Sequence, residues 1–447
     1  MGVVVACACA ETPGIGDVGE TEDSQGPESS ATEAGSAESG SESGSESDSS
    51  GGGMDCPFAS GELPVLAEGD FLAQQSTVDG AREYCSASLH AIAGAAASTL
   101  RLTLEASPQP LRVRSEDLLG EVEQGWVELS SGSSIDLTLE RTGETLLRFE
   151  PSDPQAAAHE YSLSLSCVTG CGLDYTRYPV LFMHGMAGTD AYFGALDYFF
   201  SLEDYLSIPG FEVRMGVVDA FGTVETRAPK WQSHIDEMID SGLGRKVNLV
   251  GHSQGALDAR WIAAFLDEER RIASIVSVGT PHHGTSVADL ANGSFDAFNV
   301  DPLTLNAVVS ALGSLAGLTG AELVEQTAGL TTEAMQMFNI EVLDVPGVYY
   351  ASYSGHSCRL IDLACQSQMN GETVDLLFAP TLAFLEDAEG PNDGMSSVES
   401  AKWGDWQGEI AADHADEIGQ IADLNNPAFD HKLFYLEELR RLGTLGL

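Results

Sequence analysis

The sequence predicts an α/β domain with a mainly parallel sheet, preceded by a small all-β sandwich and a disordered tether. Three observations carry that expectation. From Tyr178 onward, short aliphatic runs (Pro179 to Met183, Val213 to Val218, Val247 to Val250, Ile272 to Val278) alternate with polar or amphipathic stretches, the pattern of buried parallel strands joined by crossover helices. Between Cys56 and Cys171 the period is two instead. Leu100, Leu102 and Leu104 alternate with Thr99, Arg101 and Thr103, and the alternation recurs at Ile135, Leu137 and Leu139 and at Tyr161, Leu163 and Leu165, as in half-buried antiparallel strands. Upstream, Ser29 to Gly53 is almost wholly Ser, Gly, Glu and Ala, which buries too little apolar surface to offset chain entropy.

Length and charge bound the rest. The chain has 447 residues, with 69 acidic and 20 basic side chains and a formal net charge of −49. That is enough chain for two or three domains of about 100–200 residues each. Such an excess of carboxylates excludes nucleic acid as an electrostatic partner, since phosphate binding needs clustered Lys and Arg. It argues equally against docking on anionic membranes through a basic patch. The expected organisation is a lipoprotein-like start over 1–10, an acidic Ser/Gly/Glu linker over 11–55, a β-sandwich over 56–171 and the α/β domain over 178–447.

At the start, Val4-Val5-Ala6-Cys7 resembles the lipobox of bacterial lipoproteins, in which the Cys is diacylated after signal cleavage. Six preceding residues are too few for a signal peptide, so this reading needs a start upstream of Met1; otherwise Cys7 is an ordinary residue. With a polar tether following, the expectation is a bacterial cell-surface protein, held at the outer membrane through Cys7. Apart from Cys7 and Cys9, six cysteines remain: Cys56, Cys85, Cys167, Cys171, Cys358 and Cys365. Their even number reads as three disulfides formed in an oxidising compartment.

In the period-two segment, Arg141-Thr142-Gly143-Glu144 reads as a hairpin turn. His90 and His159 read as surface residues, and nothing there looks catalytic. The segment is a spacer or a weak binding module.

Chemistry enters with Gly251-His252-Ser253-Gln254-Gly255, a G-x-S-x-G sequence between VNLV and ALDARWIAAFL. Small residues on either side let a strand turn sharply into a helix, so that a strained Ser253 presents its hydroxyl above the sheet. Leu257, Trp261, Ala264 and Phe265 share one face of the following helix. The first aliphatic run ends in His184-Gly185-Met186-Ala187-Gly188, a loop able to offer a backbone N–H to a developing oxyanion. Met186 N–H and Gln254 N–H are the expected donors, with His184 holding their loop. Downstream, Asp393 in Asn392-Asp393-Gly394 can orient an imidazole. Of His414 and His431, His414 is preferred as the base because His431 opens an amphipathic C-terminal helix.

These blocks, YPVLFMHGMAGTDAYFGALDYF, KVNLVGHSQGALDAR, SVGTPHHGTSVADL, VYYASYSG, PNDGMSSV and HADEIGQ, resemble in order and spacing the secreted bacterial triacylglycerol lipases of the Pseudomonas and Burkholderia type. The resemblance covers roughly residues 178 to 447. It implies an α/β-hydrolase fold with a Ser253, His414 and Asp393 triad, Met186 and Gln254 as oxyanion donors, and an acyl-enzyme route. It also implies a structural Ca²⁺ near the catalytic His, held by the carboxylates of Asp416 and Asp375 and the backbone carbonyls of Gln420 and Leu424. Glu399 stands where the family often has a disulfide Cys, so a local Cys358–Cys365 loop is the alternative. The family's mobile lid corresponds to about 286–345, where Leu305, Val308, Val309, Leu312 and Leu315 have helical spacing and Pro302 to Ala321 carries no charge. Its members often need a dedicated folding chaperone. The implied substrate is a long-chain acylglycerol at a lipid–water interface. The alternatives are an esterase or polyester depolymerase with the same triad and, remotely, a non-catalytic surface-binding lipoprotein.

Overall fold

The computed structural model describes residues 69–74, 88–153, 160–188, 197–293, 298, 300–316, 320–420 and 428–447, all within one compact unit, Cys56–Leu447. Cys7, Cys9, Cys56, Cys85, His159, Leu424 and the 11–55 tether lie outside the described residues.

Eight strands form the first part: β1 (Gly69–Gln74), β2 (Ser88–Gly94), β3 (Thr99–Ala106), β4 (Leu111–Glu116), β5 (Val122–Leu129), β6 (Ser133–Thr138), β7 (Gly143–Pro151) and β8 (Glu160–Thr169). They pair antiparallel in two sheets of order β1-β8-β3-β6 and β2-β7-β4-β5. The alternating leucines face inward. Leu102 and Leu104 of β3, Leu147 of β7 and Leu163 of β8 are wholly buried in one apolar cluster drawn from both sheets. Each such side chain contributes about 1.5–3 kcal/mol on leaving water.

Two readings need correction here. Arg141–Glu144 is no hairpin turn, because β6 pairs with β3 whereas β7 pairs with β2 and β4; the segment carries the chain from one sheet to the other. His90 is buried, bonded through Nε2 to the Tyr161 hydroxyl at 3.1 Å. Its partner lies 71 residues away, which local polarity could not reveal.

The second part is a six-stranded sheet of β9 (Val180–Met183), β10 (Val213–Gly216), β11 (Val247–His252), β12 (Ile272–Val278), β13 (Tyr349–Gly355) and β14 (Asp405–Ile410), in order β10-β9-β11-β12-β13-β14. Every pairing is parallel, so all six carboxyl ends point the same way and the loops leaving them share one rim. The four expected aliphatic runs are β9 to β12. β14, DWQGEI, lies at the sheet edge and has a largely exposed burial pattern, so it carries no aliphatic run to betray it.

The described helices are α1 (Leu202–Ser207), α2 (Val224–Asp240), α3 (Gln254–Phe265), α4 (Ser286–Ala291), α5 (Pro302–Ala316), α6 (Gly320–Thr327), α7 (Thr332–Glu341), α8 (Leu363–Gln368), α9 (Ala379–Ala388) and α10 (His431–Thr444). α2 and α3 cover one sheet face through Trp231, Ile235, Ala259 and Ile262. α10 covers the other through Tyr435, Leu439 and Leu442. Of the apolar face expected for α3, Leu257 is buried while Phe265 is exposed. α4, α5, α6 and α9 share an apolar cluster that includes Val308 and Leu312.

The two-sheet part is clamped at the amino end of the parallel sheet. Buried Glu144 of β7 accepts from Arg177 Nε at 2.7 Å and from Arg245 Nε and an Arg245 terminal nitrogen at 3.0 and 2.8 Å. Arg141 donates to Gly242 O at 3.2 Å. The catalytic rim is therefore at the end opposite the clamp.

Candidate active site

β11 turns into α3 at Ser253, whose backbone sits at φ 54°, ψ −130°. A non-glycine residue held there costs on the order of 1–3 kcal/mol, and the neighbours leave no relaxed alternative. A Cβ on Gly251 would lie 2.4 Å from Ala256 N, and one on Gly255 would lie 2.2 Å from Met183 O. Glycine at both positions is thus a packing requirement of the elbow. Gln254 is the first residue of α3, so its N–H has no partner within the helix.

His414 and Asp393 meet as expected. His414 Nδ1 lies 2.7 Å from Asp393 Oδ2, and the His414 backbone N–H donates to Asp393 O at 2.9 Å. Asp393 is fully buried, and its Oδ1 accepts from the N–H groups of Met395 and Ser396 at 2.7 and 2.6 Å. Those bonds hold the carboxylate in place and aim its other oxygen at the imidazole. Ser253, His414 and Met186 line one cavity of about 90 Å³, whose remaining wall is largely apolar and includes Leu312, Leu323 and Leu330.

His184 holds the loop that leaves β9. Its Nε2 accepts from Val218 N–H at 3.1 Å, leaving Nδ1–H to donate to Gly185 O at 2.8 Å. Burial, with Arg227 adding to it, pushes the His184 pKa down to about 4, so the ring is neutral.

Several residues of the site escaped sequence reasoning. Arg227, wholly buried on α2, donates to His184 O at 2.6 Å, to Gly185 O at 3.1 Å and to Gln254 Oε1 at 3.1 Å. Gly185 O and Met186 N–H belong to one planar peptide, so fixing the carbonyl fixes the donor. Arg227 pairs with wholly buried Asp258 at 3.0 Å, which also accepts from Trp231 Nε1 at 2.9 Å. Burial lifts Asp258 to about 7, and both partners pull it back. Behind His414, buried Glu417 lies 3.5 Å from His414 Nδ1 and 2.8 Å from His252 Nε2. His252 Nδ1 meets the Tyr198 hydroxyl at 2.8 Å, and that hydroxyl accepts from Gly185 N–H at 3.1 Å. Burial raises Glu417 well above the usual carboxyl range and lowers His252 well below its own, so this chain is uncharged. Glu417, Tyr198 and Asp258 stand inside the HADEIGQ, YPVLFMHGMAGTDAYFGALDYF and KVNLVGHSQGALDAR blocks, but nothing local marks their roles, and Arg227 lies outside every block; only the fold brings them together.

Next to the His414 loop, ligand oxygens of buried Glu372, Asp413 and Asp416 lie within 4.8 Å of one another. Asp375 donates its backbone N–H to Asp413 Oδ2 at 2.8 Å. Burial first, then neighbouring carboxylates including Asp375, raise Asp413 to about 6; burial raises Glu372 to about 8, against a hydrogen bond from Ser357. The Gln420 side chain donates to Asp197 O at 2.7 Å and Tyr198 O at 2.5 Å, and Leu424 is not among the described residues. Cys358 and Cys365 form the local disulfide, as do Cys167 and Cys171.

Comparison with known proteins bears on this geometry. Residues 179–319 match the family described as palmitoyl protein thioesterase. A triacylglycerol lipase of Pseudomonas fragi is 28% identical over 298 residues, covering 61% of this chain and 98% of that protein. A triacylglycerol lipase of Pseudarthrobacter phenanthrenivorans is 33% identical over 139 residues, 30% of this chain; the chain spans 42% of that relative's length. Among solved structures, the Staphylococcus hyicus lipase is similar at 18% identity with a TM-score of 0.44, over 62% of this chain and 99% of that one.

Proposed function

We propose that this chain, a serine-type carboxylic ester hydrolase with an α/β-hydrolase fold, is a lipase that cleaves long-chain acylglycerols with Ser253, His414 and Asp393. The observation that carries the assignment of roles is the buried Asp393–His414 pair sharing an apolar cavity with the strained Ser253. Ser253 attacks the ester carbonyl while His414 takes its proton. Asp393 holds the imidazole and stabilises its charged form without itself becoming protonated. The N–H groups of Met186 and Gln254 receive the developing oxyanion, pre-oriented by Arg227 and His184. His414 then protonates the departing alcohol, and water releases the acyl group by the same steps in reverse.

Relatives named triacylglycerol lipase and the apolar cavity wall support the long-chain substrate. A cavity of about 90 Å³ is well below the roughly 300–1,000 Å³ usual for ligand pockets. Admitting a long acyl chain would require the segments that contribute Leu312, Leu323 and Leu330 to move outward, the gating proposed for 286–345. The cavity as it stands suits a short acyl group and so favours the esterase alternative. The two readings separate in one assay: emulsified long-chain triglyceride against soluble short-chain ester, for wild type and Ser253→Ala. Preference for the soluble ester at equal molarity contradicts the lipase reading, and equal inertness of both proteins on both substrates contradicts the roles.

Glu372, Asp413 and Asp416 offer only oxygen donors and are buried together, a donor set that fits a hard cation such as Ca²⁺. When bound, the ion neutralises these carboxylates and thereby steadies the loop that carries His414. Asp375 and the carbonyls of Gln420 and Leu424 complete the proposed set. Display at the cell surface through acylated Cys7 belongs to the same proposal; mass spectrometry finding an unmodified Cys7 in membrane-associated protein contradicts it.

A further inference from the structure

Between Cys358 and Cys365 the chain makes a tight turn closed by their disulfide, and its side chains are sorted in an unusual sense. The polar groups are used inward. Arg359 donates to Ala383 O at 3.0 Å and pairs with Glu386, both on α9. Asp362 caps α8, accepting from the N–H groups of Ala364 and Cys365 at 3.1 and 3.0 Å. Gln366 Nε2 donates to the carbonyls of Arg359 and Leu360, both at 3.0 Å. The aliphatic groups are left in water: Leu360 is 55% exposed, Ile361 89% and Leu363 75%. Ile361 is the most exposed large apolar side chain among the described residues. Val374 N–H bonds Cys358 O at 2.9 Å, which sets a second loop beside the turn, and that loop presents Leu376 at 78% exposure.

This turn adjoins the catalytic mouth. It leaves the carboxyl end of β13, the rim where Asp393 sits; a Cβ on Gly355 would lie 2.8 Å from Asp393 Cβ. Two residues beyond Leu376, Phe378 lines the catalytic cavity with its ring 6.4 Å from that of His414. The segment thus has an inner side facing the cavity and an outer side that is aliphatic. Glu386 and Asp387 flank it, and the chain carries a net charge of −49, so a surface of negative charge repels it. Protruding aliphatic side chains on a disulfide-closed turn suit insertion among acyl chains, and a pre-ordered turn loses little entropy on inserting.

We propose that the Cys358–Cys365 turn, together with Leu376, is a fixed anchor that inserts into the surface of an uncharged lipid and holds the catalytic mouth against it. It is separate from the helices that cover the cavity, and it rests on the lipase reading only for its purpose, because insertion itself needs no turnover. The test uses the full chain carrying Ser253→Ala, so that no probe is consumed, with dioleoylphosphatidylcholine vesicles and a triolein emulsion. Adding Ile361→Ser, Leu363→Ser and Leu376→Ser is expected to weaken partition onto both at least tenfold. In the active enzyme the same three changes should leave soluble short-chain ester hydrolysis within twofold. Partition within twofold of the parent overturns the proposal, as does a parallel loss of soluble activity. Should the triple variant fold poorly, Ile361→Trp serves instead. Its tryptophan emission should shift to the blue on neutral vesicles and less on vesicles containing dioleoylphosphatidylglycerol; no shift on neutral vesicles overturns the proposal. If the lipase reading fails, triolein hydrolysis is absent while partition still depends on the turn; if the anchor fails, hydrolysis persists with partition unaffected by the substitutions.

Discussion

Two buried groups of charged side chains flank the catalytic cavity, and they balance their charge in different ways. On the oxyanion side, Arg227 and Asp258 are both wholly buried and pair directly, and the remaining guanidinium donors go to carbonyls of the oxyanion loop. On the acid side, Glu372, Asp413 and Asp416 crowd carboxylates together; burial first, and then Asp413 and Asp375, raise the proton affinity of Glu372, as burial and then Asp375 raise that of Asp413. The first group is balanced within the protein and so positions backbone donors without an added ion. The second is balanced only by protons or by a cation, so the His414 loop should respond to what the solvent supplies. Burial of charge is a mark of function in both, but only the second should respond to ions.

The largest effect should come from breaking the balanced side. Arg227→Met leaves Asp258 unpaired, at a cost of about 3–5 kcal/mol, and loosens the Gly185–Met186 peptide, lowering kcat by roughly 10²–10³-fold. Arg227→Met with Asp258→Leu should regain most of the stability in thermal melts but none of the kcat. If stability and kcat recover together, Arg227 acts through folding alone.

His184 sharpens the same side by its pH response. Its folded pKa, about 4, lies below the unfolded value of about 6.5. The unfolded chain therefore binds the extra proton first as pH falls, and the stabilisation, complete above about pH 6.5, is lost on descending to about pH 4. One group shifted by this much accounts for about 3 kcal/mol. His90 in the two-sheet core is shifted likewise to about 4 by burial. Denaturant titrations of His90→Gln and His184→Gln between pH 4 and 7 should each show a shallower slope than wild type; unchanged slopes contradict the burial assigned to the rings.

The acid side should give the smallest effect, with a change of sign. Saturating Ca²⁺ at 100 times its Kd stabilises by about 2.7 kcal/mol. At pH 9, where the metal-free Glu372 carboxyl is ionised, Glu372→Gln should raise the melting temperature in chelator by relieving repulsion; with Ca²⁺ present it should lower it by removing a donor. The same sign under both conditions removes the cation from the account. Arg227→Met, by contrast, should be indifferent to chelator.

What could be read from the sequence follows the same division. Ser253, Asp393, His414, Met186 and Gln254 sit in short segments whose local chemistry is self-declaring: an elbow that excludes side chains at two glycines, a turn, an N–H at a helix start. β9, β11 and β12, interior strands, announce themselves as aliphatic runs, as does the edge strand β10; β13, interior but made largely of Tyr, Ser and Ala, and β14, at the other edge, do not. Arg227 and Asp258 stand 31 positions apart, and His90 and Tyr161 are farther; pairing over such separations depends on the closed fold and leaves no local pattern. At Arg141–Glu144 the chain bends at Arg141 and Thr142 and is already in β7 from Gly143; strand pairing on either side is non-local, and there the segment joins two sheets.

The central claim is that Ser253, activated by His414, is the nucleophile of this ester hydrolase. Its most direct test is mass spectrometry after exposure to a p-nitrophenyl alkylphosphonate, which traps a serine nucleophile at the geometry of the tetrahedral intermediate. The account requires one equivalent of adduct on Ser253, with labelling slowed by orders of magnitude in His414→Ala. Full ester turnover without a Ser253 adduct, or labelling at an unchanged rate in His414→Ala, contradicts it.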